Sequence, residues 1–216
     1  MKDIKFPSQL FISGIDTDAG KSFATGWLAN QMQKAGLSVI TQKFIQTGNN
    51  EFSEDIEIHR KITGSGLLPV DLNHLTAPEI FSYPASPDLA ARIDNRELDI
   101  DKITRATNQL QQLYDYILIE GAGGLMVPLK KHYLTIDFIK DRKLPVVIVT
   151  NGRLGSINHT LLSLNAVKTA GLDLFAVIYN AHFDTYRIIC NDTREFIQGW
   201  LTRYFPQTHY WEIPSL

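Results

Sequence analysis

Cysteine, long apolar runs and basic clusters are nearly absent from this sequence. The single Cys190 cannot form a disulfide within the chain, which is typical of a reducing compartment. The apolar runs are no longer than a strand, and residues 1–10 lack an apolar signal core, so we expect neither a membrane span nor a secretory signal. A formal net charge of −2, without a Lys/Arg cluster, offers nucleic acid no basic surface. These absences predict a cytoplasmic protein with no membrane or nucleic-acid partner.

What the sequence does contain is typical of a folded globular chain. Hydrophobic residues make up 44% and charged residues 20% of its 216 residues, which suits one substantial core and argues against disorder. Neither an internal repeat nor a clear linker interrupts the sequence. We therefore predict a single α/β domain that spans residues 1–216.

Strand-like and helix-like segments alternate along the chain. The strand-like runs are rich in Val, Ile and Leu without polar alternation, which indicates a parallel sheet covered by helices on both faces. Strands are predicted at 10–13, 39–44, 116–119, 145–150 and 174–179, and helices at 20–35, 53–64, 99–114 and 156–170, with an irregular surface segment at 65–87. In such a doubly wound, mainly parallel fold, ligands bind at the carboxyl ends of the strands. The segments that follow strands should therefore meet at one edge, and they are 14–22, 43–48, 120–124, 151–156 and Asn180.

The most informative stretch is a Gly-rich loop between the first predicted strand and the first predicted helix. Residues 14–22 read Gly-Ile-Asp-Thr-Asp-Ala-Gly-Lys-Ser, one residue longer than the standard phosphate-loop template. Backbone N–H groups of such a loop bind anions, Lys21 would reach the outer phosphates, and the Ser22 hydroxyl would contact Mg²⁺. A Gly-rich turn also occurs in α/β proteins that bind no nucleotide. The strand–loop–helix context favours nucleotide binding and a P-loop NTPase-like fold.

Several other polar residues are candidates for the same site. Glu120 closes an apolar strand, where a carboxylate commonly meets Mg²⁺, although a solvated Glu before a turn gives the same pattern. Lys43 ends another strand and would add a second cation, and Asp55 would add an oxygen ligand; an exposed Lys and a helix-starting Asp are the alternatives. His59 and His159 lack the spacing of a zinc site, so we expect both to be partly exposed helix residues.

With these segments, the chain resembles the dethiobiotin synthetase family of ATP-dependent cyclo-ligases over nearly its whole length. The phosphate loop has the family's extra residue, and the segment 120–124 reproduces the family's Glu-Gly-Ala-Gly-Gly. Six segments match family motifs in the same order, and they are 14–22, 43–48, 120–124, 154–162, Asn180 and 212–214. Together they make the resemblance specific.

The resemblance implies a reaction of biotin biosynthesis. Diaminopelargonic acid (7,8-diaminononanoate) takes up CO₂ on one amine, and the resulting carbamate attacks the γ-phosphate of MgATP. The second amine then closes a ureido ring on the carbamic-phosphoric anhydride and releases phosphate. The family works as a homodimer with substrate at the subunit interface, to which 124–129 and 158–162 would contribute.

The resemblance also implies roles for individual residues. Thr17, Lys21 and Lys43 would be catalytic, and Ser22, Asp55 and Glu120 would hold Mg²⁺. The residues implied in nucleotide binding are Asp18, Ala19, Gly20, Lys21, Ser22, Phe23, Asp55, Glu120, Gly121, Ala122, Gly123, Asn180, Ile213, Pro214 and Ser215. Those implied in binding the diamine or its carbamate are Thr17, Lys43, Thr47, Gly124, Leu125 and Asn158.

The chain departs from the family pattern at a few positions. Ser22 replaces a Thr and keeps the hydroxyl, whereas Ile15 and Phe44 replace a Thr and a Pro. Asp88 stands where the family commonly has His. The family usually continues beyond the point at which this chain stops, Leu216, with a segment that covers the base, so we expect looser nucleotide selectivity.

Three other functions compete with the ligase. A ParA/MinD-like ATPase switch would carry a further Lys near the start of its phosphate loop, and none lies between Lys5 and Lys21. A cobyrinate-type amidotransferase synthetase would need a glutaminase domain, for which 216 residues leave no room. A protein that binds ATP without turnover would show no phosphate release stimulated by substrate.

Overall fold

A central sheet of six parallel strands organises the chain. The computed structural model describes residue 1 and residues 4–214. The strands are β1 (Gln9–Gly14), β2 (Val39–Lys43), β3 (Gln46–Thr47), β4 (Ile80–Phe81), β5 (Tyr116–Gly124), β6 (Pro128–Lys130), β7 (Tyr133–Leu134), β8 (Val146–Asn151), β9 (Leu174–Asn180) and β10 (His209–Ile213). The helices are α1 (Lys21–Lys34), α2 (Glu54–Thr63), α3 (Pro69–Leu72), α4 (Pro87–Ile93), α5 (Ile100–Gln111), α6 (Thr135–Asp141), α7 (Ser156–Ala170) and α8 (Arg187–Tyr204).

The strand order in the central sheet is β10-β9-β8-β1-β5-β2, and every neighbouring pair is parallel. Two small sheets, β3-β4 and β6-β7, lie outside it. Because the strands all run the same way, the segments that follow β1, β2, β5, β8 and β9 leave the sheet at one edge. This geometry confirms the predicted convergence of those segments.

Both faces of the sheet are buried, because successive apolar side chains of each strand point to opposite sides. In β1, Phe11 packs into one hydrophobic cluster, and Leu10 and Ile12 pack into the other. The second cluster includes Leu28 of α1, and the first includes residues of α5, α6, α7 and α8. The predicted doubly wound α/β, P-loop NTPase-like fold is thereby confirmed. Among the described residues, no helix has the length and apolar character needed to cross a membrane.

The structure adds elements that the sequence patterns did not indicate. All five predicted strands and four predicted helices are present, although β5 continues to Gly124, past its predicted end at 119. The prediction of an irregular segment at 65–87 was wrong in part, because it contains α3 and β4. Helices α4, α6 and α8 and strands β3, β6, β7 and β10 were also not predicted, and β10 extends the sheet beyond β9.

Candidate functional site

The loops at the carboxyl edge of the sheet enclose one polar cavity of about 450 Å³. Its lining comes from the loops after β1, β2 and β8, from the carboxyl end of β5, and from the first turns of α1 and α2. It therefore lies where a doubly wound sheet binds ligands. The lining residues are Thr17, Asp18, Gly20, Lys21, Ser22, Lys43, Ile45, Gln46, Thr47, Asp55, Glu120, Ala122, Gly123 and Arg153.

The phosphate loop is tightly folded around Lys21. Gly14 ends β1, and a Cβ there would lie 2.6 Å from the Asp16 carbonyl oxygen. Gly20 caps the N-terminus of α1 with a φ of 85°. Both positions therefore favour glycine. The Lys21 ammonium donates to the carbonyl oxygens of Asp16 and Thr17, each at 3.0 Å. Burial, together with the charge of Lys43, lowers the pKa of Lys21 to about 8. Lys21 is thus a buried cation whose two hydrogen bonds go to neutral carbonyl oxygens, which suits it to receive an anion.

Lys43 and Glu120 form the charged centre of the site. They are register partners in the parallel strands β2 and β5, and both are buried. The Lys43 Nζ lies 2.9 Å from Glu120 Oε1, 2.6 Å from Asp55 Oδ2 and 3.0 Å from the Gly121 carbonyl oxygen. These three acceptors match the three protons of the ammonium group.

Both members of this pair are held in their charged forms. Burial disfavours the charge on Lys43, but the Glu120 and Asp55 carboxylates outweigh it and raise the pKa of Lys43. Burial also disfavours the Glu120 carboxylate, but the charge of Lys43 and the contact with His59 hold the pKa of Glu120 well below its usual range.

Three oxygen-bearing side chains converge beside Lys43. The Ser22 hydroxyl contacts Asp55 Oδ1 and lies 3.0 Å from Glu120 Oε1. A hydroxyl and two carboxylates are hard oxygen donors, and Mg²⁺ in nucleotide sites uses one or two carboxylates of this kind. No group of three His, Cys, Asp or Glu suited to a metal ion occurs among the described residues. Because the converging Ser22, Asp55 and Glu120 side chains all offer oxygen, this donor set fits Mg²⁺ better than a softer metal.

His59 occupies an unexpected place in the site. Its ring is fully buried, and Nε2 lies 2.6 Å from Glu120 Oε2. The prediction of a partly exposed helix histidine was wrong for this residue, because α2 packs its His59 face against α1 and the end of β5. It is confirmed for His159, whose side chain is 51% exposed.

Most of the sequence-derived candidates line the cavity, and a second group lies behind or beside it. Ala19 is fully buried, the Gly121 carbonyl faces Lys43, and Phe23 is half-buried against the core. The Leu125 side chain is buried in the first hydrophobic cluster. Ile213 is buried in the second cluster, on the edge strand β10 away from the cavity.

Three further candidates lie away from the cavity, and a fourth is outside the described residues. Asn180 is buried at the end of β9, and its Oδ1 accepts the His182 amide. Pro214 and Asn158 are exposed. Ser215 lies outside the described residues.

Three cavity residues were not among the assigned candidates. Ile45 and Gln46 belong to the 43–48 segment, which the sequence placed at this edge without assigning them a role. Arg153 follows β8 in the 151–156 loop, whose position after a strand was the available signal. Arg153 therefore brings a third cationic side chain to the cavity, beside Lys21 and Lys43.

Solved structures share the fold at low sequence identity. A ParA family ATPase from Chlorobium tepidum TLS superposes with a TM-score of 0.55 at 16% identity, covering 97% of this chain and 86% of that one. A signal recognition particle receptor FtsY from Elizabethkingia anophelis gives 0.52 at 17% identity. That match covers 96% of this chain, which spans 58% of the receptor chain. At these identities the likeness concerns the fold alone.

Sequence relatives are much closer. Residues 8–203 match the AAA domain family. ATP-dependent dethiobiotin synthetase BioD 2 of Pasteurella multocida is 46% identical over 198 residues, covering 92% of this chain and 93% of that protein. ATP-dependent dethiobiotin synthetase BioD of Chlorobaculum tepidum is 48% identical over 195 residues, covering 90% and 82%. Together with the phosphate loop and the Lys43–Glu120 centre, these relatives show that the chain belongs to the ATP-dependent dethiobiotin synthetase family.

Proposed function

We propose that this chain is a cytoplasmic, Mg²⁺-dependent dethiobiotin synthase that converts 7,8-diaminononanoate, CO₂ and ATP to dethiobiotin, ADP and phosphate. The observation that carries the proposal is the position of Lys43. Its ammonium lies within 3.0 Å of Asp55 and Glu120 and lines the same cavity as the phosphate-loop Lys21. The reaction brings a carbamate against a triphosphate, so two cations in one cavity suit its crowded negative charge.

The phosphate loop and α1 would bind the triphosphate of ATP. Backbone N–H groups of the loop and of the helix N-terminus stabilise anions, and Lys21 would exchange its two carbonyl contacts for phosphate oxygens. Ser22, Asp55 and Glu120 would hold Mg²⁺, which supplies charge neutralisation to the phosphates when bound.

Lys43, Thr17 and Thr47 would bind the carbamate. All three line the cavity, and Thr17 Oγ1 lies 3.7 Å from the place where a Cβ on Gly123 would stand. The lack of a side chain at Gly123 therefore leaves room beside Thr17. Positioning the carbamate oxygen in line with the γ-phosphate is the main contribution that a protein makes to phosphoryl transfer. The second amine then closes the ring, and phosphate leaves.

The adenine would lie over the carboxyl ends of β9 and β10. Asn180 ends β9, Ile213 is its register partner on β10, and Pro214 follows. The segment 213–215, of which Ser215 lies outside the described residues, would contact the base together with Asn180.

Two copies of the chain would form a homodimer. Met126, Leu154 and Leu162 are 61%, 87% and 61% exposed, and all three lie in or near the segments 124–129 and 158–162 that the family uses at its interface. A contiguous patch of large exposed apolar side chains favours contact with another surface, and these three would form part of such a patch at the dimer interface. Gly124, Leu125 and Asn158 would then approach substrate from these segments.

The reaction itself is the test. Phosphate release from MgATP in bicarbonate buffer is measured with and without the diamine, and the product is identified by mass. We expect release that requires the diamine and yields the cyclic urea. Phosphate release at the same rate with and without the diamine would refute the proposed ligase activity and favour an ATPase switch.

A matched pair of variants tests the role of Lys43. Removal of one stabilising charge from a transition state costs roughly 10²–10³ in kcat, so Lys43→Ala should lose about that much dethiobiotin formation. Lys61→Ala removes an exposed lysine from α2 and should keep the parent rate. Equal rates in the two variants would contradict the assignment of Lys43.

A further inference from the structure

The two oxygens of the Glu120 carboxylate contact different groups, one of which is the buried His59. Oε2 of Glu120 contacts His59 Nε2 at 2.6 Å, whereas Oε1 faces Lys43 and Ser22 at 2.9 and 3.0 Å. One oxygen is thus anchored behind the site, and the other points into it. The contact with His59 fixes the rotation of the carboxylate about its terminal torsion, which is otherwise broad.

The direction of this hydrogen bond follows from the surroundings. Carboxylate oxygens accept hydrogen bonds, so the 2.6 Å contact is one in which His59 Nε2–H donates to Glu120 Oε2. His59 Nδ1 is buried and has no hydrogen-bond partner among the described residues. A proton on Nδ1 would be a buried donor without an acceptor, so the proton that bonds Glu120 is placed on Nε2.

The backbone places His59 behind the carboxylate by two features. Asp55 and His59 are four residues apart on α2, so they lie on one face of the helix, and Asp55 reaches the cavity while His59 lies one turn deeper. Gly26 of α1 permits the close approach, because a Cβ there would lie 2.8 Å from Ile62 Cδ1 and 3.3 Å from His59 Cα. Helix α2 thus brings two side chains to the same site, one that faces the cavity and one that supports it.

We propose that His59 is a positioning residue, whose Nε2–H holds Glu120 so that Oε1 faces the metal and Lys43. This proposal rests on the metal role of Glu120 in the proposed function. Partners that orient metal-ligating side chains commonly account for 10–100-fold in metal affinity. His59 does not line the cavity, so its effect passes through Glu120.

The test compares His59→Leu with His59→Gln. Leucine has a similar size and no donor, whereas the glutamine amide can donate to the same oxygen. Mn²⁺ binding to the chain saturated with ADP is titrated by the electron paramagnetic resonance signal of the unbound ion. We expect His59→Leu to bind Mn²⁺ at least about 10-fold more weakly than the parent, with His59→Gln much closer to the parent.

Kinetics supply a second readout that a general loss of packing would not give. In His59→Leu, the Mg²⁺ concentration for half-maximal activity should rise, while kcat at saturating Mg²⁺ falls less. If the leucine variant does not fold, His59→Asn takes its place in the comparison. The asparagine side chain is one methylene shorter than glutamine, so its amide would not reach the Glu120 oxygen that the glutamine amide reaches.

The outcomes separate this proposal from the proposed function. Parent-like Mn²⁺ affinity in His59→Leu, or equal weakening in the leucine and glutamine variants, would overturn the positioning role even if the parent makes dethiobiotin. A parent chain that makes no dethiobiotin would refute the function, and the Mn²⁺ titration would still decide the role of His59.

Discussion

Replacing Lys43 by methionine tests the charged centre most directly, because methionine keeps the length of the side chain and removes its charge. The change would leave Glu120 and Asp55 facing each other without their shared cation. Breaking a buried ion pair by removing one partner costs about 3–5 kcal/mol. The Asp55 side chain is 18% exposed and partly solvated, whereas Glu120 is 0% exposed. We therefore expect Lys43→Met to lower the free energy of unfolding by an amount near the lower end of this range, about 3 kcal/mol at pH 7.

The loss should depend on pH in a defined direction. In the parent, the depressed pKa of Glu120 gives stability that is present above its ordinary value of 4.5 and lost as the pH falls through the folded value. The raised pKa of Lys43 gives stability that is present below 10.5 and lost as the pH rises through its folded value. Without Lys43, we expect burial and the nearby Asp55 carboxylate to outweigh the contact with His59 and raise the pKa of Glu120, so that mild acid neutralises the buried carboxylate. The difference between parent and variant should therefore shrink as the pH falls from 7 toward 4.

Urea unfolding followed by tryptophan fluorescence measures this difference. The metal-free chain is unfolded at a series of pH values between 4 and 8, with the exposed-site variant Lys61→Met as the control. A destabilisation below about 1 kcal/mol, typical of exposed ion pairs, would refute the reasoning. So would a destabilisation that stays constant over this pH range.

Two further predictions concern a glycine and the phosphate-loop lysine. A Cβ on Gly152 would overlap the Tyr179 hydroxyl, so Gly152→Ala should destabilise the chain by about 1–3 kcal/mol in urea unfolding. In the control variant Gly199→Ala in α8, the added Cβ meets nothing within 4 Å, and the free energy of unfolding should rise by up to about 1 kcal/mol. A Gly152→Ala variant more stable than Gly199→Ala would contradict this account of the packing. Because the pKa of Lys21 is lowered to about 8, ATP should draw up to about half a proton onto it at pH 8. Titration calorimetry of ATP binding in buffers of different ionisation enthalpy measures this proton uptake, and Lys21→Met should abolish it. Proton uptake that is unchanged in Lys21→Met would exclude Lys21 as the group that takes up the proton.

The parts of the site that the sequence predicted are those set by strand ends. Glu120 closes an apolar run and Lys43 ends a predicted strand, and parallel topology brings such positions to one edge regardless of the details of packing. Their direct pairing was not predictable, because it depends on the register between β2 and β5. The burial of His59 was missed for a similar reason, since it follows from how closely α2 approaches α1.

The C-terminal elements escaped prediction because their apolar pattern is weak. The buried positions of α8 are Cys190, Thr193, Ile197 and Leu201, and only two of these four are large aliphatic residues. In β10, one residue, Ile213, is buried, and the other four are half-buried or exposed. Long-range pairing with β9 therefore decides the structure of this region, and local periodicity does not reveal it.

The two cavity lysines differ in what they must release to bind a ligand. Lys21 donates to two neutral carbonyl oxygens, so phosphate oxygens can replace them without leaving an anion unpaired. Lys43 has already committed its three protons to Glu120, Asp55 and the Gly121 carbonyl. If Lys43 binds the carbamate as proposed, the neutral Gly121 carbonyl is the least costly acceptor to give up, because charged hydrogen bonds are the stronger ones. That choice directs the carbamate toward the Gly-rich end of β5, on the side of the cavity where Thr17 lies beside Gly123.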